Sequence, residues 1–216
     1  SPPVFSPPTK KSIPNNLAHP LTLFVGRGPE LETIGHRLTT TACRLLTIVG
    51  IGGVGKTSLA QEAAQRILQS TPSEFADGIY FVPLLNVGRE QGSVEAAHGD
   101  DSEVGEAILR AIATQIGYRL ADGTSSVLRL QNHLRTKRLL LILDNFEHLL
   151  AGVNAIVTLL TQTPHVKALV TSRSRLNVRG ESVLTLNALS LPSFTHANVY
   201  ANIYTNIYTD VHANNS

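Results

Sequence analysis

Residues 47–65 read TIVGIGGVGKTSLAQEAAQ, and this stretch satisfies two phosphate-binding fingerprints at once. From Gly50, through Gly52 and Gly55, it spells G-x-G-x-x-G, the dinucleotide signature. From the same glycine it spells G-x-x-x-x-G-K-[ST], closing on Lys56 and Thr57, the P-loop signature. A dinucleotide site needs an acidic residue at the end of the second strand, about 20 residues past the glycines, to hold the ribose hydroxyls. Here the second apolar run ends in Leu84, Leu85 and Asn86, and Asp77 lies at its wrong end. That reading also leaves Lys56 and Thr57 without a role. The P-loop reading uses every residue. Gly50, Gly52, Gly53, Val54, Gly55, Lys56, Thr57 and Ser58 form the expected nucleotide-binding segment. The glycines let backbone N–H groups wrap a phosphate, and the loop opens into a helix N-terminus whose dipole favours the anion. Lys56 reaches the β- and γ-phosphates, and the Thr57 hydroxyl ligates Mg²⁺.

A P-loop calls for a carboxylate at the tip of a neighbouring strand, holding the metal from the other side. "RLLLILD" (138–144) supplies Asp144 after a run aliphatic enough to be buried on both faces. The metal ligands expected are therefore Thr57 and Asp144. Around them, strands and helices alternate. Strands are expected at 44–50, 78–85, 138–144 and 166–172, with a fifth over 182–189. Helices are expected at 56–69, about 103–116 (capped by Asp101 or Ser102), about 125–136 and about 148–162. Between them, 86–101 reads as a polar loop, long for a compact domain. The fold class this implies is α/β, a three-layer P-loop NTPase sandwich with a mainly parallel sheet and helices on both faces.

Composition narrows the function classes. Charged residues are 16% of the chain and the net charge is +2, without the basic stripe that direct nucleic-acid binding requires. The longest aliphatic run, Leu139 to Leu143, is too short to span a bilayer, so no membrane partner is expected. A single cysteine excludes a disulfide framework and points to the reducing cytoplasm. None of the eight histidines shows metal-ligand spacing. The chain contains no methionine and reads as a piece of a longer polypeptide. Residues 1–20 hold six of the 11 prolines and read as a disordered linker. Residues 21–192 are the NTPase core, and 193–216 form a low-complexity Asn/Tyr tail whose four-residue repeat fits neither helix nor strand.

Adenine is the expected base. The nearest match to the GTPase [NT]-K-x-D is Thr136-Lys137-Arg138-Leu139, which lacks the acid. Four segments in order, "LTLFVGRGPELETI" (21–34), "VGIGGVGKTSLA" (49–60), "LLLILDNFEHLL" (139–150) and "ALVTSRSRLNVRGE" (168–181), resemble the NB-ARC-like nucleotide-binding domain of STAND signal-transduction ATPases. The resemblance is closest to large bacterial transcriptional regulators, where the module sits between a DNA-binding domain and helical repeats. It implies that Phe24, Val25, Gly26 and Arg27 lie against adenine and ribose, and that Arg173 feels the γ-phosphate. Many relatives carry a second Asp directly after the strand-tip Asp, as candidate base. Here Asn145 stands there and cannot accept a proton, which leaves Glu147 either to orient water or to serve as a surface residue.

The resulting expectation is an ATP- or ADP-binding, Mg²⁺-dependent switch module with slow hydrolysis, in which Lys56, Asp144, Glu147 and Arg173 carry the chemistry. Its partners would be adenine nucleotide and the neighbouring domains of a larger regulator, with oligomerisation left open. The family continues into a small helical domain and a winged helix, for which residues 193–216 are too few. Two alternatives stay open: a non-hydrolysing interaction module or inactive truncated remnant, and a small-molecule kinase, which would need an arginine-rich lid that does not stand out.

Overall fold

The computed structural model describes residues 12–18, 24–39, 42–71, 73–88, 100–119 and 126–188. A strand that is aliphatic at every position needs cover on both faces, and β3 (Leu139–Asp144) obtains it. Leu139, Leu141 and Leu143 join Ile108 and Ile112 of α3 (Asp101–Gln115) and Ile156 and Leu159 of α5 (Val153–Gln162) in one core. Leu140 and Ile142 point the other way, to Ile34 and Leu38 of α1 (Gly28–Thr39) and Leu59 and Ala63 of α2 (Lys56–Ser70). Alternation along the strand thus divides the core into two layers about one sheet.

The sheet has five strands in the order β2-β3-β4-β1-β5, with β1 at Leu45–Val49, β2 at Gly78–Pro83, β4 at Val166–Ser172 and β5 at Glu181–Thr185. Every pairing is parallel. The three-layer α/β sandwich is the expected fold, and the sheet is parallel throughout. Arg44 fastens the layers by donating to the carbonyls of Leu160, Thr163 and Val166, where the end of α5 turns into β4. Cations are favoured at such a helix C-terminus. Among the described residues no helix is long and apolar enough to cross a membrane.

Several boundaries differ from the sequence expectation. No helix was expected over α1, although Leu31, Ile34 and Leu38 make its buried stripe. The cap of α3 is Asp100, whose carboxylate accepts from the Ser102 N–H at 3.4 Å, so the helix begins at Asp101 and not after a cap at Asp101 or Ser102. Instead of a helix from 148, the chain makes 3-10 turns at Phe146–His148 and Leu150–Gly152 before α5. The second of these turns packs closely on α3: a Cβ on Gly152 would lie 2.8 Å from the Gly105 nitrogen. A fourth helix, α4 (Ser126–Leu134), lies within the expected 125–136.

Residues 12–18, read as linker, dock on the free edge of β2. Ile79 N–H donates to the Pro14 carbonyl at 3.0 Å, and Asn15 forms a parallel bridge with Ile79. Phe81 N–H donates to Asn16 Oδ1 at 2.6 Å, and Asn16 Nδ2 returns a bond to the Phe81 carbonyl at 2.9 Å. The Asn16 amide thus stands in for a paired peptide unit. Position 83, next on that side of the strand, is a proline with no N–H to satisfy. Leu17, 7% exposed, anchors the segment in the α1/α2 core. The 189–216 stretch and the centre of the expected polar loop, 89–99, lie outside the described residues.

Candidate nucleotide site

The site forms at the carboxyl ends of β1, β3 and β4. Past Val49, Gly50 N–H donates to the Ser172 carbonyl of β4 at 3.3 Å. A Cβ on Gly50 would meet the Leu186 carbonyl oxygen at 2.6 Å, so only glycine fits at the root of the loop. Gly53 (φ 77°) and Gly55 (φ 93°) take left-handed conformations, which L side chains rarely adopt. Gly55 is also the N-cap of α2, and no side chain caps it. The first-turn N–H groups of the helix therefore remain available to an anion. Lys56 folds back across the loop, its Nζ donating to the carbonyls of Gly50 (2.8 Å) and Ile51 (3.0 Å). Val54 packs towards the α1/α2 core, and Ser58 is exposed.

One helical step on, the Thr57 hydroxyl donates to Asp144 Oδ1 at 2.7 Å, joining residues 87 apart in the chain. Asp144 is 8% exposed, and no ion pair among the described residues reaches it. A buried carboxylate with only hydroxyl partners is costly unless a cation joins it. A carboxylate and a hydroxyl oxygen side by side are the hard donors that Mg²⁺ takes. The pair therefore fits a magnesium ion completed by water and phosphate. Among the described residues no group of three or more His, Cys, Asp or Glu forms a rival metal site.

The same carboxylate oxygen accepts from Thr171 Oγ1 at 2.7 Å, and Thr171 Oγ1 in turn accepts the Asn145 N–H at 3.0 Å. Sequence reasoning missed Thr171. The available signal was a threonine directly after the aliphatic Ala168–Val170 run; β4 runs in register with β3 (Leu143 opposite Val170), bringing residue 171 level with Asp144. Asn145 itself takes φ 64°, a left-handed turn that asparagine tolerates, and so redirects the chain into the turn carrying Glu147. Glu147 Oε1 pairs with Arg173 Nε at 3.1 Å, while its other carboxylate oxygen is buried without a partner. The Arg173 guanidinium lies over the P-loop, Nη2 being 3.5 Å from where a Cβ on Gly52 would sit.

The V-G-R turn stands on the far side of the loop root. Val25 is 80% exposed, and Gly26 (φ 83°) and Arg27 (φ 61°) are both left-handed. The Arg27 guanidinium is spent on the protein, with Nη1 on Glu30 Oε1 at 3.0 Å and Nη2 on the Asn187 carbonyl at 2.6 Å. That guanidinium, foremost as a hydrogen-bond donor, holds the Glu30 carboxyl below its ordinary range. Leu186 N–H bonds the Val49 carbonyl at 2.7 Å. The chain leaving β5 is therefore clasped between the P-loop root and the V-G-R turn.

Comparisons with known proteins give the family and the relatives of this chain. The AAA ATPase domain matches residues 23–171, more than half of the chain. A putative HTH-type transcriptional regulator of Mycobacterium tuberculosis is 34% identical over 149 residues, 68% of this chain but 14% of that protein. The regulatory protein AfsR of Streptomyces griseus is 30% identical over 171 residues, 77% of this chain and 16% of its own length. The chain thus spans about a seventh of the length of these regulators. A STAND protein with a tetratricopeptide repeat sensor from Pyrococcus horikoshii superposes with a TM-score of 0.47 and 20% identity, over 90% of this chain and 28% of that one. The resemblance to bacterial regulators read from the four sequence segments is borne out. By the match over residues 23–171, this chain belongs to the AAA ATPase domain family.

Proposed function

We propose that the chain is the nucleotide-binding module of a larger regulator, a switch set by ATP or ADP with Mg²⁺ and reset by slow hydrolysis. The observation that carries the reading is the 2.7 Å contact between the Thr57 hydroxyl and the Asp144 carboxylate, directly under an uncapped helix N-terminus. Lys56 exchanges its carbonyl partners for the β- and γ-phosphates, and the loop N–H groups take the remaining phosphate oxygens. Val25 and Gly26 offer an exposed apolar surface to the base, with Arg27 fixing the turn. Magnesium, when bound, supplies positive charge to the phosphate oxygens. Arg173 reads the γ-phosphate, and Glu147 orients the attacking water in place of the acid missing at Asn145. The regulators similar to this chain support the assignment to signalling.

Isothermal titration with ATP and with ADP, each with Mg²⁺, beside Lys56→Ala tests the pocket. Binding by the wild type that the substitution abolishes is the expected result. A well-folded wild type that binds neither nucleotide overturns the reading. A second reading, a nucleotide binder that never hydrolyses, is favoured by Asn145 and by the engagement of Glu147 with Arg173. Phosphate release that depends on Lys56 would eliminate it.

A further inference from the structure

The Glu147–Arg173 pair joins two groups that the proposed chemistry needs apart. An arginine that reads a γ-phosphate must turn its guanidinium to that phosphate, and a carboxylate that orients water must be free to accept from it. Here Arg173 Nε is held on Glu147 Oε1 at 3.1 Å. Both side chains hang from rigid supports. Arg173 follows β4 directly, where the Ser172 carbonyl takes the Gly50 N–H. Glu147 follows the fully buried Phe146 in the 3-10 turn set by the left-handed Asn145. The guanidinium already lies beside Gly52, at the edge of the phosphate loop. Glu147 has no second partner to fall back on, since its other oxygen is buried and unpaired.

From this geometry we propose that Glu147 is a specificity-determining residue, an internal competitor for Arg173 that biases the module against ATP and towards ADP. This inference rests on the nucleotide-switch reading of the site. ADP has no γ-phosphate, so Arg173 stays on Glu147 and the carboxylate stays engaged. ATP must draw the guanidinium away, and the cost of breaking the pair is subtracted from ATP affinity alone. The exchange also releases the Glu147 carboxylate only when a γ-phosphate is present, which confines water activation to the triphosphate state. Arg173 is 67% exposed, so the pair is screened and its effect is modest, about threefold to fivefold in affinity.

The test is a double-mutant cycle read by calorimetry, with ADP and the non-hydrolysable β,γ-imido analogue of ATP, each with Mg²⁺. Glu147→Gln keeps the shape and removes the charge. It is expected to tighten the ATP analogue about threefold to fivefold and leave ADP unchanged. In the Arg173→Ala background the same substitution is expected to give no such gain. Glu147→Asp, too short to reach Arg173, should shift the ratio in the same direction and stands in if the glutamine variant folds poorly. An unchanged ratio of the two affinities, or a gain that persists without Arg173, overturns the inference while leaving the nucleotide site intact. Binding of neither nucleotide by folded wild type overturns the switch reading, and this inference with it.

Discussion

Thr171 has a hydroxyl used twice, as donor to Asp144 and as acceptor from the Asn145 N–H. Valine has nearly the same shape and neither bond. Thr171 is fully buried, and Thr171→Val would leave the partly buried Asn145 N–H without its partner, which costs about 1–3 kcal/mol. It would also leave Asp144 held by Thr57 alone and loosen the turn that aims Glu147. The expected outcome is a lower urea midpoint together with weaker Mg²⁺ dependence of nucleotide binding. A variant with wild-type stability would show that the hydroxyl is not the link between β3 and β4. At this same scale the sequence was readable wherever a residue acts through its immediate neighbours. Gly53 and Gly55 have left-handed backbones, and Lys56 Nζ donates to carbonyls of the loop itself. It was silent where the partner is remote. Nothing near Arg27 in the chain indicates that its guanidinium ends on the carbonyl of Asn187.

Among the elements, β2 has the outer edge that needs explaining. Open strand edges invite pairing with another chain, and this one is closed by residues 12–18. Asn16 and Leu17 divide the work. The Asn16 bonds sit at an exposed edge where water replaces them, so Asn16→Ala is expected to cost about 1 kcal/mol. Leu17 is buried in the α1/α2 core, and Leu17→Ala is expected to cost about 2–3 kcal/mol. Urea unfolding of both variants checks the order, and equal losses would refute the division between register and burial. Proline-rich composition led the sequence reading to place this segment in a linker. Composition reports only on how a segment behaves alone, and here a strand edge supplies the missing partners. Approach is close because of Gly78 (φ 140°), where a Cβ would lie 2.9 Å from the Pro14 carbonyl oxygen.

Across the whole molecule the two ends of the sheet differ. The phosphate loop, Asp144 and Arg173 gather at the carboxyl ends of the strands, while ion pairs brace the other end. There Asp77 accepts from the Arg138 N–H at 2.9 Å and from Lys137 at 3.1 Å. Those groups, the Arg138 N–H foremost, hold its carboxyl below the ordinary range. With its folded value depressed, Asp77 contributes stability that is complete above the unfolded carboxylate value of about 4. That contribution is lost as the pH falls through the lower folded value. Asp77→Asn should therefore lose less stability than the wild type between about pH 6 and about pH 3, measured as urea midpoints. Parallel acid limbs for the two proteins would sink this assignment.

The sequence by itself determined the phosphate loop, the strand-tip aspartate, the alternation of strands and helices, and the resemblance to the regulators' nucleotide-binding domain. Each of these is written in a contiguous stretch, where glycine spacing sets local backbone conformation and aliphatic runs report burial on both sides. Tertiary structure alone decided the strand order, the Thr171 contact to Asp144, the clasp of Asn187 by Arg27, the cover on β2 and the pairing of Glu147 with Arg173. These contacts join residues 26 to 160 positions apart. Hydrogen bonds and ion pairs act over about 3 Å, so they depend on which strands the fold sets side by side and in what register.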